Sequence, residues 1–315
     1  MQNDFIWVEK YRPKTISETI LPADLKATFQ NFVDNKEIPN LILAGRAGIG
    51  KTTVAKAMLN ELGCDSIIIN GSMNGNIDTL RTEIQSFASS VSLMGSGRKY
   101  VILDEADYLN ANSTQPALRN FMEEFSKNCG FILTCNFVNR IIEPLHSRCS
   151  VINFKISNED KPKLAAEFFK RSLSILEQEG VEYDKRSVAD LIGNHFPDWR
   201  RVLNELQRYS ATGKIDVGIL SNADTDKIND LIKFLKEKNY TEARKWIGRN
   251  TDIESAQFYR QLYDILPTKV KSSSTVAGII IVLAESQYKE AFVADPEINR
   301  AAAIAQIMGE VTDWV

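Results

Sequence analysis

The stretch NLILAGRAGIGKTTVAKAMLNEL, residues 40–62, joins a short apolar run to a glycine-rich turn and then to a helical pattern. Within it Gly45, Gly50, Lys51 and Thr52 stand at the spacing G-x-x-x-x-G-K-[ST]. Such a turn lets backbone N–H groups wrap a β-phosphate, brings a lysine to the β- and γ-phosphates, and offers a hydroxyl to Mg²⁺. The strand before it and the helix after it supply the setting the motif needs. The expected ligands are therefore ATP and Mg²⁺.

Outward from this loop, short β-branched runs alternate with longer amphipathic stretches. SIIING (66–71), KYVILDEAD (99–107), GFILTCN (130–136) and SVINF (150–154) are bounded by turn formers and separated by helical patterns. That arrangement predicts a parallel sheet with helices on both faces. After Phe154 the strand signal stops. Apolar residues at helical spacing predict a three-helix unit from 155 to about 220. LSNADTD (220–226) reads as a linker, and Ile228, Leu231, Ile232 and Leu235 lie on one face of a further helix. The expected domains are 1–154 (α/β), 155–222 (helical) and 226–315 (all-helical).

YVILDEAD supplies the partner of the loop. Asp104, at the end of a buried strand, is placed to hold the metal with Thr52, and Glu105 to polarise the attacking water. These residues predict ATP hydrolysis. The run FILTCN ends in Thr134 and Asn136 at the same sheet edge, where a polar side chain can read the γ-phosphate or orient water. A turn-forming asparagine is the plainer alternative.

Composition narrows the rest. The chain has 315 residues, 25% charged and 43% hydrophobic, with a formal net charge of −3, the mix of an ordinary globular protein. That charge argues against coating nucleic acid by bulk electrostatics, so any such contact must be local. The start, MQNDFIWVEKYRP, lacks a signal-peptide pattern. The longest apolar run, VAGIIIVLA at 276–284, is about half the ~20 residues of a membrane span. A soluble, cytoplasmic chain with no membrane partner is expected. Cys64, Cys129, Cys135 and Cys149 show no C-x-x-C pairing and His146 and His195 lie far apart, so buried reduced thiols are expected rather than zinc.

The motifs WVEKYRPKT (7–15), IPNLILAGRAGIGKTT (38–53), ILDEADYL (102–109), ALRNFME (117–123), TCN (134–136), IIEPLHSRC (141–149) and DWRRVLNELQ (198–207) occur in that order. Together they closely resemble the ATPase subunits of DNA polymerase sliding-clamp loaders of the AAA+ superfamily, and most of all the large clamp-loader subunit of T4-type bacteriophages. The resemblance covers residues 1 to about 210 well, and the last hundred by helical character only. It implies a P-loop AAA+ domain, a helical lid and a C-terminal helical collar. The implied partners are a sliding clamp, primer–template DNA, further copies of the chain, expected as four, and one dissimilar small subunit.

The resemblance also assigns residues. Arg148 of the Ser147-Arg148-Cys149 motif corresponds to an arginine that acts in trans on the γ-phosphate held by a neighbouring subunit. Arg200, directly after Trp199, corresponds to the lid arginine that reaches over the nucleotide. Val8, Tyr11, Arg12 and Pro13 match the segment lining the adenine pocket, although Tyr11 alone also reads as core packing. With Gly45, Gly48, Ile49, Gly50, Lys51, Thr52 and Thr53 they make up the nucleotide-binding set. Lys51, Asp104, Glu105, Asn136, Arg148 and Arg200 are the catalytic set, and Thr52 and Asp104 the metal ligands.

DNA contact is expected from the helix start near Asn76 and Ile77 and from Arg81, since Gly75 stands where the family carries a basic residue. Clamp contact is expected from Val91, Leu93 and Met94, for which packing of a helix end is an equal reading. Two rivals stay open on sequence alone. The literal DEAD at 104–107 suggests a helicase, which needs a second motor domain. A scaffold that binds ATP without hydrolysing it is the other.

Overall fold

The computed structural model describes residues 5–73, 77–90, 98–211, 213–215, 223–251, 253 and 255–314. Expected contacts at Asn76, Val91, Leu93 and Met94 lie outside these residues. The chain forms two compact units, Met1–Ile219 and Leu220–Val315.

The first unit is built on five parallel strands, β1 (Leu41–Ala44), β2 (Ser66–Asn70), β3 (Lys99–Asp104), β4 (Cys129–Cys135) and β5 (Ser150–Asn153), in the spatial order β2-β3-β4-β1-β5. Leu41 lies in register with Ile132 on one side and Ser150 on the other, so β1 is an interior strand, between the central β4 and the edge strand β5. β1, β3 and β4 carry no polar alternation because both faces are covered, whereas the edge strands β2 and β5 are partly exposed.

Ile42, Val101, Leu103, Phe131 and Leu133 pack with Leu80 and Ile84 of α4 (Ile77–Ser89) and with Leu118, Phe121 and Met122 of α5 (Thr114–Glu124). Their neighbours Leu41, Leu43, Tyr100, Ile102 and Ile132 point the other way. There they meet Phe29 and Val33 of α2 (Ala23–Asp34), which follows the short α1 (Trp7–Lys10), and Val54, Ala55 and Met58 of α3 (Lys51–Leu62). This two-residue alternation turns each apolar run into two core faces. β3 opens on Lys99, whose buried ammonium donates to the carbonyl of Phe87 (2.9 Å) and to Ser90 Oγ (2.6 Å), occupying acceptors at the end of α4.

In the same unit follow α7 (Lys161–Gln178), α8 (Lys185–His195) and α9 (Trp199–Ser210), with a four-residue helix α6 (Glu143–His146) before β5. Asp184 and Asp198 cap α8 and α9 by accepting from the N–H of Ser187 (2.8 Å) and Arg201 (3.0 Å). The strand signal does not end at Phe154. A two-residue parallel pair, β6 (Glu182–Tyr183) with β7 (Lys214–Ile215), ties the segment before α8 to the one after α9. Two residues are too few to show a period, which is why the pattern missed it.

The second unit is helical: α10 (Ala223–Lys236), α11 (Tyr240–Arg249), α12 (Ser255–Ile265), α13 (Ser273–Glu290) and α14 (Pro296–Glu310). Ile228, Leu231, Ile232 and Leu235 enter one core with Trp246, Phe258, Leu262, Ile279, Leu283 and Ile304. Inside it Arg300 Nε donates to Glu290 Oε1 (2.8 Å), and both side chains are 6% exposed. Among the described residues no helix is long and apolar enough to cross a membrane.

Candidate nucleotide-binding site

The ends of β1, β3 and β4 converge on one edge of the sheet, and the phosphate loop crosses it. Gly48 (φ 73°) and Gly50 (φ 102°) take left-handed backbone, which side chains disfavour. A Cβ on Gly48 would also fall 1.8 Å from Asp198 Oδ1, so this glycine is required by contact as well as by conformation. Helix α3 starts directly after Gly50, leaving its first N–H groups on the loop side.

Lys51 heads that helix and is buried. Its ammonium donates to the carbonyls of Gly45 (2.8 Å) and Arg46 (2.9 Å) and to Asn136 Oδ1 (2.8 Å). Burial lowers its pKa from the ordinary lysine value. Asp104 Oδ1 accepts from two hydroxyls at once, Thr52 Oγ1 and Thr134 Oγ1, both at 2.6 Å. The next residue, Glu105, has left-handed backbone (φ 57°), and its N–H donates to Thr134 Oγ1 (3.1 Å). One threonine therefore fixes both carboxylate-bearing positions.

Asp107, the last residue of the DEAD tetrad, works differently. It is buried, and its Oδ2 accepts from the backbone N–H of Asn136 (3.2 Å) and Phe137 (3.1 Å), pinning the turn that aims Asn136 at Lys51. Its other oxygen, Oδ1, is buried without a hydrogen-bond partner.

These groups lie at the floor of an open cleft where strand ends, loop and helix start meet. Val8, Tyr11, Arg12 and Pro13 form one wall, and Ile49, Gly50, Thr52, Thr53, Asp104 and Glu105 the base. The α7–α9 segment contributes Phe168, Trp199 and Arg200. Trp199 stacks on Phe168 with ring centroids 4.4 Å apart, which steadies the start of α9, and Arg200 rather than Arg201 lines the cleft. Tyr11 is more than packing: its hydroxyl donates to Glu179 Oε1 (2.6 Å) at the end of α7. Arg12 reaches Thr53 Oγ1 (3.3 Å) on α3.

The hard oxygens of Thr52 and Asp104, beside the lysine and the helix start, are the donor type that suits Mg²⁺ with a polyphosphate.

Gly45, expected in the nucleotide-binding set, does not line the cleft and meets it only through Lys51, and three further expected residues lie elsewhere. Arg148 is not in this cleft; it sits on the turn before β5, paired with Glu123 of α5. Ile77 opens α4 and Arg81 is exposed on it, and neither lines the cleft.

Sequence reasoning missed Arg171, which donates to the carbonyls of Tyr11 (2.8 Å) and Glu18 (3.0 Å) and so clasps the wall segment to α7. The signal was present: Leu164, Phe168, Arg171 and Ile175 fall on one helical face, and a cation on an apolar face demands partners. It also missed Asp107 and the double role of Thr134.

The description "ATPase family associated with various cellular activities" fits residues 41–156, and "Sliding-clamp-loader large subunit, AAA+ ATPase lid domain" fits residues 160–221. The sliding-clamp-loader large subunit of Enterobacteria phage T4 is 35% identical over 315 residues, covering 98% of each chain. That of Escherichia phage RB69 is 34% identical, covering 98% of this chain and 97% of its own. The replication factor C small subunit of Archaeoglobus fulgidus is 35% identical, again over 98% of each. A solved structure of a Thermotoga maritima RuvB variant superposes with a TM-score of 0.55 over 92% of this chain and 91% of that one. At 17% identity it speaks for the fold alone. Near-complete coverage by relatives at this identity, over a phosphate loop set in a parallel sheet, means that the chain belongs to the sliding-clamp-loader ATPases of the AAA+ superfamily.

Proposed function

We propose that this chain is an ATP-driven motor subunit of a DNA polymerase clamp loader, acting in the cytoplasm. Residues 1–154 would be its ATPase domain, 155–222 its lid and 226–315 a collar joining it to further copies, expected as four, and to one dissimilar small subunit. Binding of ATP favours the state that grips an opened sliding clamp on primer–template DNA, and hydrolysis releases the clamp closed. The energy changes an affinity and leaves the DNA chemically untouched.

In the cleft, Lys51 exchanges the Gly45 and Arg46 carbonyls and Asn136 for phosphate oxygens. Thr52 and Asp104 would hold Mg²⁺, which when bound offsets charge on the phosphates. Glu105 orients and polarises the attacking water, and Asn136 and Arg200 read the γ-phosphate, Arg200 from the lid. Asn76, Ile77 and Arg81 are assigned to DNA. Val91, Leu93 and Met94 are assigned to the clamp.

One observation carries the reading: Lys51, Thr52, Asp104 and Glu105 line one cleft, whereas Arg148 stands on a surface turn outside it, bonded to Glu123 and Pro144. That is the division of labour a finger supplied in trans requires. The Arg148→Ala variant should bind ATP within about twofold of the wild type and lose ~10³-fold in clamp- and DNA-stimulated turnover. Undiminished turnover in that variant would refute the assignment.

A further inference from the structure

Arg148 is held on nearly every side. Its Nε (2.9 Å) and Nη2 (2.5 Å) both donate to Oε1 of Glu123, while Nη1 donates to the carbonyl of Pro144 (2.8 Å) and to Ser147 Oγ (3.2 Å). A guanidinium carries five N–H groups. Among the described residues these four bonds leave one donor on Nη2 without a partner.

The two residues stand on different kinds of element. Glu123 stands in the last turn of α5, a helix fastened to the sheet by buried Leu118, Phe121 and Met122, whereas Arg148 sits on a turn. A second contact crosses the same seam one residue along in each element: Cys149 Sγ lies 3.9 Å from Met122 Sδ, and both residues are buried. Ser147 completes the brace by donating to Pro144 O (3.0 Å) while accepting from Arg148. Without the carboxylate, a long side chain on a turn would sample many rotamers, and a planar fork is useful only when its direction is fixed. The hydrogen bond from Arg148 keeps the Glu123 carboxyl below the ordinary value, so the holding group stays ionised at neutral pH.

We infer that Glu123 is the positioning residue for Arg148, fixing the plane of the guanidinium so that its remaining Nη2 N–H leaves the chain toward a phosphate bound by a neighbouring copy. The inference rests on the in-trans reading of Arg148. A latch, in which Glu123 only withholds the arginine, predicts the opposite sign on turnover.

The test is steady-state ATP turnover by the complete loader with its sliding clamp and primer–template DNA, comparing Glu123→Gln, Glu123→Ala and Arg148→Ala. A titration with a fluorescent ATP analogue and a thermal melt accompany each variant. Expected for both Glu123 variants is a fall in kcat of ~10-fold or more, with KM, analogue affinity and melting temperature unchanged. Adding Glu123→Gln to Arg148→Ala should change the residual turnover by less than about twofold, since the two act as one unit. Wild-type or raised turnover in the Glu123 variants beside an inactive Arg148→Ala would overturn this inference and leave the finger standing. Full turnover in Arg148→Ala would overturn the finger itself, and the positioning role with it.

Discussion

Lys51 Nζ lies 2.8 Å from Asn136 Oδ1, joining the first turn of α3 to the end of β4 across residues 85 apart in sequence. Two carbonyls of the phosphate loop complete the coordination of the ammonium. The charge is thus kept at the floor of the cleft, held by neutral oxygens that an anionic phosphate outcompetes.

Removing that charge is the first prediction. Lys51→Ala should weaken ATP binding by about 10- to 100-fold, the value of one or two charge-assisted hydrogen bonds. Titration with a labelled ATP analogue measures it, and unchanged affinity would defeat the assignment.

Arg171 links α7 to the carbonyls of Tyr11 and Glu18, and burial lowers its pKa from the ordinary arginine value. Arg171→Ala should cost about 2 kcal/mol in urea unfolding of the whole chain. It should also weaken binding of adenine nucleotides several-fold, because the wall carrying Val8 and Tyr11 loses its clasp. Native affinity in a destabilised variant would show that the clasp serves stability alone.

The pair Glu290 and Arg300 is a buried ion pair, and its carboxylate also accepts from Asn299 Nδ2 (2.6 Å), Ser255 Oγ (2.8 Å) and Tyr259 Oη (2.9 Å). Arg300→Met should destabilise the chain by about 3 kcal/mol, since the carboxylate remains buried without its counter-charge. Replacing both partners by apolar residues should recover much of that. Burial pushes the Glu290 carboxyl up, but its hydrogen bonds outweigh this and leave it below the ordinary 4.5. Its stabilising contribution is therefore present above pH 4.5 and lost as pH falls below it. Denaturant midpoints at a series of pH values test both statements.

Burial pushes three thiols up from the ordinary 9.0: Cys129 to about 11, Cys135 to about 11 and Cys149 to about 12. Cys64 is only half-buried. At pH 8 a thiol reagent should label Cys64 in the native chain, and all four cysteines after denaturation; rapid native labelling at Cys135 would contradict the buried strand end. The raised values favour the neutral thiol in the folded state. Their contribution is complete below pH 9 and is lost as pH rises toward about 11 and beyond.

The five strands were legible because each is a short β-branched run between turn formers, and parallel pairing buries both faces of β1, β3 and β4. β6 and β7 were not, since a two-residue pair is made by whatever sequence the flanking helices bring together. Lys51, Thr52 and Asp104 were legible from local motifs. Asp107 was not assigned, because its partners, the N–H groups of Asn136 and Phe137, are backbone and carry no residue signature. Arg171 left a trace as a charge on an apolar helical face, but its acceptors are again backbone carbonyls.

By itself the sequence determined the chemistry available to this protein. A glycine-rich loop between strand and helix, with an aspartate ending a later strand, can form only where such elements share a sheet edge, and local spacing encodes that. Tertiary structure alone decided which groups meet: Thr134 between Asp104 and Glu105, Asp198 against Gly48, Arg171 behind Tyr11, and Glu123 on Arg148. Those contacts join residues up to 160 positions apart. Their geometry is set by packing of whole helices on the sheet, which no local spacing records.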